Sequence, residues 1–90
     1  METKQRFLIL LGHNIREMRV KKKLSIERLS LEAGLAYSQV SRIEHGLIST
    51  SAYTVYVLSK TLDVCPSEFF KEQKRDQKLF KRGVTEKPNE

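Results

Sequence analysis

Cysteine is scarce in this sequence. Cys65 is the only one among 90 residues, so the chain cannot form an internal disulfide or a zinc site built on cysteines. Because a lone thiol is most often a small buried apolar group, we expect Cys65 to lie in the core. The two histidines, His13 and His45, lack the carboxylate–histidine spacing of a zinc site. We therefore expect no bound metal and no cofactor.

Long apolar runs are also missing. The stretch FLILL at residues 7–11 stops at Gly12, far short of the roughly 20 residues that a membrane span requires. No small-residue cleavage pattern of a secretory signal follows it, so we expect a soluble intracellular protein. Catalytic groups are equally sparse, because the chain lacks a glycine-rich phosphate loop, an acid pair and a nucleophile with an adjacent base. An enzyme is not expected.

Basic residues outnumber acidic residues, but not evenly along the chain. The formal net charge is +6 and the pI is about 9.7. Residues 1–24 carry a net charge of +5, residues 25–64 a net charge of −1 and residues 65–90 a net charge of +2. This basic amino-terminal part suggests a polyanionic partner, although an ordinary solvated surface can carry a similar run of charges.

Apolar residues at helical spacing dominate the chain up to Phe70. A first helix is predicted at about residues 4–22, because one of its faces repeats Leu8, Leu11, Ile15 and Met18. Ser25 is expected to cap a second helix. Gly34 is expected to end that helix, because glycine adopts the left-handed conformation of a helix terminus without penalty.

Three further helices are predicted after Gly34. The third lies before Gly46, with a narrow apolar edge of Leu35, Val40 and Ile43 and a free opposite side. The fourth is expected at about residues 52–62 from a stripe of Ala52, Val55, Leu58 and Leu62. The fifth starts near Pro66, and Phe69 and Phe70 are expected to bury a large apolar surface. The charged residues beyond predict a helical extension to about residue 82 and a disordered tail.

Four segments carry a family resemblance. In order, LGHNIREMR, KLSIERLSLEAGLAYSQVSRIEHG, YTVYVLSKTLDV and PSEFF resemble the Cro/repressor-type helix-turn-helix family of bacterial and phage transcription regulators. The resemblance covers about residues 8–70 and is most specific between Leu29 and Gly46. It implies an all-α fold, a compact five-helix bundle of the lambda-repressor-like type, as a DNA-binding domain over residues 1–70. Residues 71–90 would form the charged extension and tail.

The resemblance implies double-stranded DNA as the partner. The second helix would cross the DNA backbone, and the third would lie in the major groove, where polar side chains can distinguish base pairs. The candidates for base contacts are Tyr37, Ser38, Gln39, Ser41 and Arg42. Phosphate contacts are expected from backbone amides or side chains at Lys21, Lys22, Lys23, Ile26, His45, Ser49, Thr50, Ser51 and Tyr53.

Two structural expectations accompany this function. By family position, Arg19 and Glu44 would form a buried ion pair that ties the third helix to the first; two unrelated solvated charges are the alternative. A homodimer on a palindromic operator is expected, because one short helix contacts only a few base pairs. The candidates for the dimer surface are Phe69, Phe70, Leu79 and Phe80.

Four positions depart from the family pattern and leave alternatives open. Ile26 replaces a common glutamine, Ala36 the usual serine cap of the third helix, Ile48 a frequent basic residue and Thr50 a frequent proline. These changes weaken the expected phosphate contacts more than the fold. We expect a sequence-specific transcription regulator in the bacterial nucleoid, in the cytoplasm. A protein–protein interaction module of the same fold, an autoregulating antitoxin, a restriction–modification controller and a phage-type repressor are alternatives.

Overall fold

The computed structural model describes residues 3–72, and every regular element in that range is helical. Helices α1 (Lys4–Lys21), α2 (Ile26–Ala33), α3 (Tyr37–Glu44) and α4 (Ala52–Leu62) are followed by a short 3₁₀ helix, Pro66–Phe70. The expected all-α class is confirmed. The expected five α-helices are not found among residues 3–72, because the fifth element is the 3₁₀ helix.

The ends of the helices follow short-range hydrogen bonding. Ser25 Oγ accepts a hydrogen bond from Arg28 N–H at 3.0 Å and begins α2, as predicted. Gly34 ends α2 with φ of 72°, in the expected left-handed conformation. Ser51 caps α4 in the same way as Ser25 caps α2. These caps fix the starts of α2 and α4 and the end of α2 through residues close together in the sequence.

One apolar core joins all five elements. Its fully or nearly fully buried members are Leu11, Ile15, Leu29, Val40, Ile43, Val55, Leu58, Leu62 and Phe69. Helix α1 packs against α3 and the 3₁₀ helix, while α2 packs against α3 and α4. Two expectations about the core are wrong. Ala52 is exposed at the start of α4, and Cys65 is exposed just before the 3₁₀ helix, so neither contributes to the core.

The two neighbouring phenylalanines have different environments. Phe69 is fully buried, so it cannot belong to a dimer surface, and that expectation is corrected. Phe70 is 45% exposed, and its ring stacks on Phe7 with centroids 6.0 Å apart and an interplanar angle of 10°. Consecutive residues in a tight helix point in different directions, so only one of the two rings can enter the core.

Asn14 bonds to the backbone where the last helix ends. Its side-chain amide lies on α1, is nearly fully buried, and donates to Phe69 O at 2.9 Å and to Lys71 O at 2.7 Å. Lys71 has extended backbone angles, so the predicted extension does not continue directly from the 3₁₀ helix.

Leu79, Phe80 and the rest of residues 73–90 lie outside the described residues. None of the helices within residues 3–72 combines the length and the apolar character that a membrane span requires.

Candidate nucleic-acid interface

Helices α2 and α3 form a helix-turn-helix around Gly34. The chain leaves α2 through the left-handed glycine, and Leu35 N–H donates back to Ser30 O at 2.9 Å. Helix α3 starts at Tyr37 after an extended Ala36. Because α1 and α2 cover one side of α3, its opposite side is available for a partner. The sequence predicted this arrangement from the two glycines and the narrow apolar edge.

The predicted base-contact residues of α3 lie on its outer side and flanks, and their exposure to solvent differs. Val40 and Ile43 point into the core, so the helical repeat directs Ser38 and Arg42 outward, one turn apart. Tyr37 is also exposed, whereas Gln39 and Ser41 are half-buried on the two flanks. The Arg42 guanidinium makes no hydrogen bond or ion pair within residues 3–72. Arg42 is therefore the outward cation of this surface.

A buried ion pair holds the carboxyl end of α3 against α1. Arg19 Nε donates to Glu44 Oε2 at 2.7 Å, and Arg19 Nη2 donates to Glu44 Oε1 at 3.0 Å. The third donor, Arg19 Nη1, bonds to Leu24 O at 2.7 Å in the turn before α2. The pair that the resemblance implied therefore forms in bidentate geometry, which fixes orientation as well as distance. It joins α1, the α1–α2 turn and α3.

Two glycines bring α3 close to α1. A Cβ atom on Gly12 would lie 2.3 Å from Ile43 O and 2.6 Å from Glu44 O, so only glycine fits at this point of α1. Gly46 follows α3 with φ of 70°, and a Cβ there would meet the Ile9 backbone at 3.0 Å. The role of Gly12 was not predicted from the sequence. The available signal was a glycine inside a strong helix, where it is unfavourable unless a neighbouring backbone approaches.

The residues predicted to contact phosphates differ in how exposed they are. Lys21, Lys22, Lys23, Ser49 and Tyr53 are exposed, Thr50 is half-buried, and Ile26 packs its half-buried side chain against the core. The Ser51 hydroxyl is used in the cap of α4. His45 Nδ1 donates to Ser41 O at 2.7 Å, so Nε2 is the ring nitrogen outside that bond. The roles of these residues stay predictions.

The thiol of Cys65 has a distinct environment. Ser67 Oγ donates a hydrogen bond to Cys65 Sγ at 3.2 Å, and this bond lowers the pKa of the thiol, with a smaller contribution from the Ser67 backbone. The exposed thiol is therefore more readily ionised than an ordinary cysteine. Among residues 3–72, no group of three or more histidine, cysteine, aspartate or glutamate side chains is arranged to hold a metal ion.

Comparison with known proteins places this geometry in a family. The HTH_3 helix-turn-helix family model matches residues 15–70, which is more than half of the chain. Among solved structures, the restriction-modification controller protein C.AhdI from Aeromonas hydrophila is 36% identical, with a TM-score of 0.68. The match covers 70% of this chain and 96% of that protein. None of the curated proteins matches the chain.

Two further solved structures share the fold at lower identity. The hypothetical transcription factor NHTF from Neisseria is 24% identical with a TM-score of 0.74, and the match covers 88% of this chain and 91% of that one. An HTH_3 family transcriptional regulator from Vibrio cholerae is 20% identical with a TM-score of 0.72, and the match covers 92% of this chain and 45% of that one. With the family match over α2 and α3, the chain belongs to the helix-turn-helix family and is a DNA-binding regulator of transcription.

Proposed function

We propose that this chain binds double-stranded DNA in a sequence-specific manner as a homodimer, with α3 in the major groove of each half-site. The observation that carries the proposal is the outward Arg42 in the last turn of α3, which the buried Arg19–Glu44 pair fixes two residues further on. A base-reading side chain must be free to bond and must be held in register by its scaffold. Arg42 meets both conditions.

The chemistry of α3 suggests which bases are read. An arginine can donate two hydrogen bonds to O6 and N7 of guanine, and a glutamine can pair in the same two-pronged way with adenine. Each such contact contributes about 1–3 kcal/mol of discrimination against other bases. Arg42 is exposed and Gln39 is half-buried on the flank of the helix. We therefore propose that Arg42 makes the dominant base contact and that Gln39, Tyr37 and Ser38 refine it.

A homodimer supplies the second reading helix. One recognition helix reaches only a few base pairs, whereas two half-sites spaced about 34 Å apart on one face of the duplex give useful specificity. The half-exposed Phe70, stacked on Phe7, supports a dimer surface at the 3₁₀ helix. The proposed operator is therefore a palindrome.

Similarity to C.AhdI favours one regulatory role over the others. That protein is a restriction-modification controller, is 36% identical to this chain and is matched over 96% of its length. We propose a controller role here, ahead of an autoregulating antitoxin or a phage-type repressor. Footprinting of the DNA upstream of the chain's own coding sequence tests it, because a controller protects an operator next to restriction or methylation genes.

Selection of bound duplexes from a random pool tests the proposed specificity directly. The pool should converge on a palindrome, and fluorescence anisotropy should then show that Arg42→Ala lowers affinity for that palindrome by about 1–3 kcal/mol. Arg28→Ala is the matched control, because Arg28 is an exposed arginine on α2 whose charge is already paired with Glu32 at 2.7 Å. A pool that stays random, or equal losses in the two variants, would refute sequence-specific reading.

One observation supports an interaction module as a second candidate. Leu31 on α2 is 69% exposed and Leu47, just after α3, is 67% exposed, so the helix-turn-helix carries two large aliphatic side chains at its surface. A partner protein that covers Leu31 would explain it without DNA. The same selection separates the two proposals, because an interaction module enriches no particular sequence from the pool.

A further inference from the structure

Asn14 holds the chain on both sides of Phe70. Its buried side-chain amide, on α1, donates to Phe69 O at 2.9 Å and to Lys71 O at 2.7 Å. One amide NH₂ group has two N–H donors, and the two carbonyls belong to the residues immediately before and after Phe70. The backbone at Phe70 is therefore fixed to α1 from both sides, by bonds that span 55 and 57 residues of sequence.

Phe70 needs this support because the element that carries it is short. The 3₁₀ helix Pro66–Phe70 has five residues, and the chain is extended on either side of it. The hydrogen bonds of a 3₁₀ helix have poorer geometry than those of an α-helix, so they hold the element less firmly. Phe69 anchors it in the core at one point, and the element could still turn about that point. The two bonds from Asn14 remove this freedom.

The Phe70 ring forms a partly exposed apolar patch with Phe7. Phe7 precedes Asn14 by about two helical turns, so both lie on the same side of α1. The two phenylalanine rings stack with centroids 6.0 Å apart, and both remain partly exposed. We call these two rings the Phe7–Phe70 patch. It is the dimer surface of the proposed function.

Helix α1 also holds the recognition helix, closer to its carboxyl end. Arg19 binds Glu44 on α3 through two hydrogen bonds, and at Gly12 the α1 backbone lies against the last turn of α3. Helix α1 is unbroken between Phe7 and Arg19, a rise of about 18 Å. The position of the Phe7–Phe70 patch relative to α3 therefore depends on the bonds that each of them makes with α1.

We propose that Asn14 is a positioning residue, which sets the spacing of the two half-sites by fixing the Phe7–Phe70 patch relative to α3. This inference rests on the proposed function and adds the residue through which the dimer acts on operator geometry. In a dimer, the two recognition helices must enter the groove about 34 Å apart on one face of the duplex. One base pair more or less moves a half-site by about 3.4 Å and turns it by roughly 35° about the DNA axis. A dimer surface held at a fixed angle to α3 therefore accepts one spacing.

Duplexes of varied spacing test the role of Asn14. They carry the half-sites selected from the random pool, either at the selected spacing or with one base pair added or removed, and a further duplex carries a single half-site. Fluorescence anisotropy gives the affinity of the chain for each duplex. The unchanged chain should bind the selected spacing more tightly than the altered spacings.

Asn14→Ala removes both bonds to the 3₁₀ helix and the residue after it. We expect affinity at the selected spacing to fall about tenfold, which is of the order that two hydrogen bonds contribute. Affinity for the altered spacings should fall less, so the preference for one spacing becomes weaker. Affinity for the single half-site should stay within about twofold, because Arg19 still holds α3.

Ser59→Ala is the matched control for a lost buried hydrogen bond. Ser59 is fully buried, and its hydroxyl donates to Tyr56 O at 2.7 Å within α4. This variant should keep the spacing preference of the unchanged chain. Circular dichroism at the assay temperature shows whether each variant is folded. If Asn14→Ala is unfolded there, Asn14→Ser, whose hydroxyl retains one donor, is measured in its place and should also weaken the preference.

The outcomes distinguish this inference from the proposed function. A folded Asn14 variant that keeps the full spacing preference overturns the inference. Equal losses of affinity for the palindrome and for the single half-site also overturn it, because they show that Asn14 only stabilises the fold. In both cases the proposed function stands, since the unchanged chain still selects a palindrome. If the unchanged chain selects no palindrome, the proposed homodimer fails and the inference fails with it.

Discussion

Replacing Glu44 by glutamine tests how firmly α3 is anchored. The Glu44 side chain is 1% exposed and its partner Arg19 is 11% exposed, so water cannot replace the lost charge. Glutamine keeps the volume but offers one oxygen, and its amide group would face the arginine donors that now bind Glu44 Oε1 or Oε2. The substitution therefore leaves the buried Arg19 guanidinium without a carboxylate to balance its charge.

The expected loss is large compared with the stability of so small a domain. Removing one member of a buried ion pair costs about 3–5 kcal/mol. A chain of this length has a free energy of unfolding of roughly 5–13 kcal/mol, at about 0.05–0.15 kcal/mol per residue. A loss of that size lowers Tm by at least about 12 °C. Urea unfolding followed by far-ultraviolet circular dichroism measures it directly.

A double replacement separates the cost of an unbalanced buried charge from the loss of the Arg19–Glu44 contact itself. Arg19→Met with Glu44→Leu removes both charges, and it should cost less than Glu44→Gln alone, because no buried charge is left unpaired. The double variant should still bind DNA more weakly than the unchanged chain, since the bond from Arg19 to Leu24 O is also lost. If Glu44→Gln costs under about 1 kcal/mol, the pair is not an anchor and the reasoning is wrong.

Three further perturbations have defined outcomes. Gly12→Ala should destabilise the fold by about 1–3 kcal/mol or more in urea, since its Cβ would overlap Ile43 O. Ala36→Ser should raise Tm by about 4–8 °C, because Ala36 has extended cap geometry without a side-chain cap bond. Iodoacetamide should alkylate Cys65 with a pH midpoint below that of an ordinary thiol, because the hydrogen bond from Ser67 lowers its pKa; Ser67→Ala should raise the midpoint.

Local rules made most of the helices predictable. The predicted first helix at about residues 4–22 agrees with Lys4–Lys21, and the predicted fourth agrees with Ala52–Leu62. Ser25 and Gly34 marked the ends of α2 because capping depends on a few consecutive residues. The exposed side of α3 followed from the spacing of Val40 and Ile43 alone.

Long-range contacts decided what the sequence analysis missed. Asn14 and Phe69 are 55 residues apart, and nothing local indicates that the amide of one bonds to the carbonyl of the other. That bond and its neighbour at Lys71 O accompany the end of the 3₁₀ helix and the extended chain after it. Cys65 is extended just before Pro66 and is exposed, whereas Phe69, four residues further on, lies in the core.

By itself, the sequence determined the helical class, the turn at Gly34 and the polar side chains on the outer side of α3, because periodicity and capping act within a few residues. Tertiary structure alone decided which of Phe69 and Phe70 enters the core, how closely Gly12 lets α3 approach α1, and that Arg19 joins Leu24, in the turn after α1, to Glu44 on α3. Those outcomes depend on volumes and hydrogen bonds between segments distant in the chain, and no local pattern contains them.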